Sequence, residues 1–169
     1  MPAGSRTLLW SKAVRIVSIL AGAVFLALVA MGGVFIAMSP GRPRVFVDES
    51  GIRLPRSISE KVWVPINGVS QGMFISGKDR ERPVLLFLHG GPGMPEYWLS
   101  QRYPTVLEEL FVVCWWEQRG AGLSNTADVP AETINTEQLV SDTIEVTNYL
   151  RKRFGQDRIY LLAHSWGTV

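Results

Sequence analysis

Apolar positions fall into a few long blocks, and the spacing inside each block differs. From Ile16 to Met38 there are 23 residues without a charge, interrupted only by Ser18 and three glycines. As a helix this run would extend roughly 35 Å at 1.5 Å per residue, enough to cross a bilayer core of about 30 Å. Ser39-Pro-Gly-Arg-Pro-Arg44 follows, too rich in Pro and Gly for regular structure, so residues 39–57 are read as a tether. Glu60–Ile66 and Gly68–Ser76 then read as two strands, with Asn67-Gly68 as the hairpin turn between them. Lys78-Asp-Arg-Glu-Arg82 is a solvated charged loop.

Beyond it the pattern changes from alternating to continuous. Pro83–Leu88, Leu110–Trp116 and Ile159–Ala163 are unbroken apolar runs, as expected of strands covered on both faces. Between the first two lies a helical patch, up to Leu110, that Pro104 is expected to break or kink, and Asn125–Ile134 reads as a loop. Before the third lies the clearest helix. Asn135 caps it with Gln138 three residues on, in the manner of a capping box. Leu139, Thr143, Val146, Leu150 and Phe154 share one face. Arg151, Lys152 and Arg153 suit the negative end of its dipole, and Gly155 stops it. Strands alternating with helices predict an α/β domain: a mostly parallel sheet with helices on both faces.

Charge changes the picture in one place. Residues 1–38 carry Arg6, Lys12 and Arg15 and no acid, for +3, whereas residues 39–169 carry 14 basic and 15 acidic residues, for −1. A near-neutral body without a basic stripe argues against nucleic acid as a partner. The charge-free run is expected to be a single-pass transmembrane helix, residues 16–38, behind a short basic tail, residues 1–15; its partner is the lipid bilayer. A cleaved signal peptide is the alternative, because Ala37-Met38-Ser39 is a small-x-small site. Pro40 would hinder that cut, and signal-peptide cores span only about 7–15 residues. The basic residues on the two sides of the run nearly balance, and the terminal amine tips the expectation towards an exported body. Cys114, the single cysteine, lies in an apolar run and reads as an inert core thiol. No metal-ligand cluster occurs and neither Gly-rich loop matches a nucleotide fingerprint, so no cofactor is expected.

Each continuous run ends in a distinctive loop: His89-Gly-Gly-Pro-Gly93, Glu117-Gln-Arg-Gly-Ala-Gly-Leu-Ser124 and Ala163-His-Ser-Trp-Gly167. In a parallel sheet all three lie at the carboxyl edge, where ligands bind. The last has the pattern of a strand turning sharply into a helix with Ser at the apex, a nucleophile elbow. Over residues 58–169 the chain resembles the α/β-hydrolase superfamily, and within it the proline iminopeptidase-like group. That group pairs His-Gly-Gly-Pro-Gly with Asp-Gln-Arg-Gly-x-Gly-x-Ser and a Gly-x-Ser-x-Gly elbow. Here Glu117 replaces the Asp and Ala163 the first Gly of the elbow.

The resemblance implies that Ser165 is the nucleophile and that the backbone N–H groups of Gly91 and Trp166 form the oxyanion hole. A glycine at 91 would let the backbone approach the oxyanion closely. Glu117 and Arg119 are expected to fix their loop rather than to react. Substrates would be small molecules or peptides, with release of an N-terminal residue such as proline as the first expectation. Esterase or other amide hydrolase activity is the alternative.

A Ser nucleophile needs a base, and the family supplies an acid and then a His after the Ser. Both histidines, His89 and His164, precede Ser165. His89 belongs to the Gly-rich loop, and His164 neighbours the Ser on the opposite side of the chain. The expectation is therefore an incomplete hydrolase domain that ends at the elbow and is inactive as it stands. Its rival is a non-catalytic membrane-tethered remnant.

Overall fold

The computed structural model describes residues 3–38 and 41–169 in two units. The first is one helix, α1 (Ala3–Met38), whose stretch Lys12–Ile36 is long and apolar enough to cross a membrane. Helix therefore begins well before the charge-free run and takes in most of the basic segment. Residues 39 and 40, at the start of the expected tether, lie outside the described residues. The rest of that tether is not all irregular: Val47 bridges Arg53, and Asp48 Oδ1 accepts from the N–H groups of Ser50 and Ile52 to close a turn.

The second unit holds β1 (Ile58–Ile66), β2 (Val69–Gly77), β3 (Val84–Leu88), α2 (Tyr97–Arg102), α3 (Leu107–Leu110), β4 (Val112–Trp116), α4 (Thr136–Phe154) and β5 (Tyr160–Ala163). The β1–β2 hairpin turns at Asn67 and Gly68, both at positive φ (44° and 82°), as a two-residue primed turn requires. Pro104 separates α2 from α3, as its missing N–H dictates. The expected loop 125–134 carries a short 3₁₀ turn, Ala131–Thr133, and a second such turn, Gly122–Ser124, precedes it. Asn135 caps α4 by accepting from Gln138 N–H, and Gly155 ends it at φ 63°. The capping box is only half formed, because the Gln138 side chain donates to Asp142 instead of returning to the cap.

Strand order is β1-β2-β4-β3-β5. β4, β3 and β5 run parallel; β1 with β2 and β2 with β4 run antiparallel, so the sheet is mixed. Alternation of side chains sorts the core into two layers. Leu86, Leu88, Cys114 and Trp116 face α4 through Val146 and Leu150, while Leu85, Phe87, Val113 and Trp115 pack with Tyr97 of α2. Cys114 is fully buried and its thiol pKa is pushed up by burial, which makes it an inert core group. Among the described residues β5 pairs with β3 alone, and Tyr160, Leu161 and Leu162 are exposed.

Candidate active site

Because β3, β4 and β5 are parallel, their carboxyl ends bring His89–Gly93, Glu117–Ser124 and the Ser165 turn to one edge. Ser165 has φ 50°, a left-handed conformation rare for a residue with a Cβ. The turn is forced by its neighbours. His164 N–H donates to Leu88 O, Gly167 N–H donates to His164 O, and a Cβ on Gly167 would overlap Leu88 O. Only glycine fits between the elbow and the end of β3. Ala163 keeps its register opposite Leu88, so the departure from Gly at that position does not disturb the turn.

Among the described residues, no hydrogen-bond acceptor is seen for the N–H groups of Gly91 and Trp166. The loop itself also requires glycine at 91. Gly91 sits at φ 124°, and a Cβ there would meet Gly93 N at 2.6 Å and Met94 N at 2.8 Å, within its own loop. The close approach to the elbow is made by Gly90, where a Cβ would lie 3.2 Å from Ser165 Cβ.

Neither histidine hydrogen-bonds Ser165 Oγ among the described residues. His89 is buried; its Nδ1–H donates to Gly90 O at 2.8 Å and its Nε2 accepts from Gln118 N–H at 3.0 Å. Burial holds its pKa below the ordinary value, so the ring is a neutral strut between two loops. His164 Nδ1 is 2.6 Å from Glu96 Oε1.

Glu117 and Arg119 fix their loop, as expected. The Glu117 carboxylate accepts from Leu123 N–H, and burial raises its pKa. It fills the space beside Gly122, where a Cβ would overlap Glu117 Oε2. Arg119 makes a bidentate bond to Asp142 of α4, Nε to Oδ2 at 2.7 Å and a terminal N–H to Oδ1 at 2.9 Å. Asp142 is fully buried and also accepts from Asn67, Gln71 and Gln138. Burial alone would raise its pKa, but these bonds outweigh it and the value falls below the ordinary one.

Sequence reading missed Asp142, although a signal existed: it is the one acid set between Leu139 and Val146 on the buried face. Glu96 has no such signal, because its partner is 68 positions away.

A cavity of about 500 Å³ opens beside Trp166, between Pro92 and Gly93 on one side and Ile134 to Leu139 on the other. A Ser held at positive φ just after a strand, beside a Gly-rich loop over a mixed sheet, has the geometry of a sharp strand-to-helix elbow. The family model for the alpha/beta hydrolase fold matches residues 83–169, and the chain belongs to that family.

Within the family it is similar to a Bacillus subtilis (strain 168) protein named "Probable aminopeptidase YbaC", 38% identical over 114 residues, covering 68% of this chain and 36% of that one. It is also similar to the proline iminopeptidase of Lactobacillus delbrueckii subsp. lactis, 35% identical, covering 66% of this chain and 37% of that one. Among solved structures, a proline iminopeptidase-related protein of Thermus thermophilus superposes with a TM-score of 0.53 at 33% identity, covering 65% of this chain and 37% of that one. The chain thus spans about a third of the length of the curated relatives it matches.

Proposed function

We propose that the protein is a Ser hydrolase of the aminopeptidase type, releasing an N-terminal residue such as proline from peptides. Ser165 Oγ attacks the scissile carbonyl to form a tetrahedral intermediate on the way to an acyl ester. The carbonyl oxygen, negative in the tetrahedral intermediate, accepts from the N–H groups of Gly91 and Trp166. One such donor contributes about 3–4 kcal/mol of transition-state stabilisation. The C–N bond then breaks, the amine leaves with a proton, and water hydrolyses the ester.

The observation that carries this reading is Ser165 at positive φ just after β5, opposite a loop whose Gly91 N–H has no partner among the described residues. The aminopeptidase and iminopeptidase names of the relatives support the substrate class. The reaction also requires a base oriented by a carboxylate, and among the described residues neither histidine hydrogen-bonds Ser165 Oγ. With neither histidine at Ser165 Oγ, a non-catalytic, membrane-tethered polypeptide is the second reading.

L-prolyl-p-nitroanilide separates the possibilities when offered to the natural protein. Release of nitroaniline in preference to hydrolysis of p-nitrophenyl acetate is expected. Ester hydrolysis alone would favour the esterase alternative, and no turnover of either would leave the non-catalytic reading ahead.

We infer further that α1 anchors the protein in a membrane, with the hydrolase unit on the exported side. The 25-residue apolar stretch Lys12–Ile36, with its exposed side chains, supports this. The protein should sediment with membranes and resist carbonate extraction, and added protease should degrade the hydrolase unit in intact spheroplasts. Recovery in the carbonate supernatant would remove the anchor.

A further inference from the structure

Beside the elbow lies a contact that acyl transfer as described does not use. Glu96 Oε1 accepts from His164 Nδ1 at 2.6 Å. Glu96 stands just before α2, where the Gly-rich loop ends, and its side chain is 24% exposed against 64% for His164. His164 itself is held firmly, since its N–H bonds Leu88 O and its carbonyl accepts from Gly167 N–H. The imidazole passes over Gly90, where a Cβ would lie 3.0 Å from Nδ1. Any side chain at 90 would push the two apart.

The segment between needs such a tie. From Gly90 to Pro95, the backbone bond seen among the described residues is Met94 N–H to Gly90 O, and it is long at 3.3 Å. Gly91 and Gly93 both sit at positive φ, with a proline between them. A loop this weakly bonded does not by itself fix where the Gly91 N–H points. Its two ends are tied: His89 is bonded to Gln118 at one end, and Glu96 is bonded at the other to His164 through its side chain and to Leu99 N–H through its carbonyl.

We propose that the Glu96–His164 bond is a clamp that sets the Gly91 N–H against Ser165, which makes Glu96 and His164 positioning residues for acyl transfer. The clamp rests on the acyl-transfer reading given above. Its chemistry suits that role, because a carboxylate acceptor gives a shorter, stronger bond than a neutral one. It also joins the residue adjacent to the nucleophile directly to the loop bearing the opposing donor. Displacement of a positioned group by about 1 Å can cost on the order of 100-fold in rate.

The rate at which a fluorophosphonate probe labels Ser165 in the natural protein tests the clamp, because the probe's P=O oxygen must enter the same pair of N–H groups. Glu96→Ala and His164→Ala should each slow labelling by roughly 10- to 100-fold. The double variant should be no slower than the slower single one, as for two halves of a single contact. Glu96→Gln, whose amide oxygen can still accept from Nδ1, should recover most of the rate. Labelling at the wild-type rate in Glu96→Ala, even with a lowered melting temperature, would overturn the clamp and leave acyl transfer standing. Additive losses in the double variant would also overturn it. Failure of the wild-type protein to label at Ser165 would overturn the acyl-transfer reading and the clamp with it.

Discussion

Ser165→Ala in the natural protein is expected to abolish turnover of L-prolyl-p-nitroanilide and all labelling by fluorophosphonates. Loss of a Ser nucleophile costs about a millionfold in kcat in a hydrolase that works through a covalent ester. A residual rate of on the order of 10³–10⁴ over water can persist, since the two N–H donors and the cavity remain. Intact-mass analysis checks the result directly, because wild type gains one probe mass and the variant none. A variant that turns over the anilide at close to the wild-type rate would exclude Ser165 as the nucleophile. Stability should respond separately. At φ 50° a residue with a Cβ is strained by roughly 1–2 kcal/mol, so Ser165→Gly should melt above Ser165→Ala although both are inactive. That combination would mark strain held at the reacting residue.

Asp142→Ala should give the largest loss of stability of any single substitution in the hydrolase unit. The side chain is fully buried and accepts five hydrogen bonds: two from Arg119 and one each from Asn67, Gln71 and Gln138. Removing it leaves the Arg119 guanidinium buried without a counter-charge. Breaking a buried pair from one side costs about 3–5 kcal/mol, a large part of the roughly 5–15 kcal/mol that a domain possesses.

Chemical denaturation should therefore show a much lower midpoint, or the variant should accumulate insoluble. Replacing both partners, Asp142→Leu with Arg119→Met, should recover part of the loss, because no unpaired charge then remains. The same site predicts a pH dependence. Its folded pKa is depressed, so its contribution is complete above the ordinary carboxylate value of about 4 and is lost as pH falls through the folded value. Asp142→Asn should flatten that acid limb. An Asp142→Ala protein as stable as wild type would show that the network contributes nothing net.

These two residues differ in how far the chain itself announces them. Ser165 is legible because the elbow is local: small residues two positions either side, after an apolar run, leave the backbone few options. The hairpin turn at Asn67-Gly68, the caps Asn135 and Gly155, and the break at Pro104 are legible for the same reason. Asp142 and Arg119 are 23 positions apart, and the bonds to Asn67 and Gln71 span more than 70. Periodicity marks the face of α4 but cannot say that an acid on it will meet an Arg from the loop after β4. Glu96 and His164 carry no periodic signature.

Sequence alone therefore determined the α/β class, the three loops at one edge of the sheet, the sharp turn at Ser165 and the apolar N-terminal helix. Each follows from short-range chemistry: turn residues, caps, apolar spacing. Tertiary structure alone decided the order β1-β2-β4-β3-β5, which sets β3 between β4 and β5 and so puts the Gly-rich loop between the other two. It decided that Gly90 lies against Ser165, because approach distances depend on how two strand ends pack. It also decided which charges are buried together, since ion pairing across the fold is fixed by where the elements meet and not by their separation along the chain.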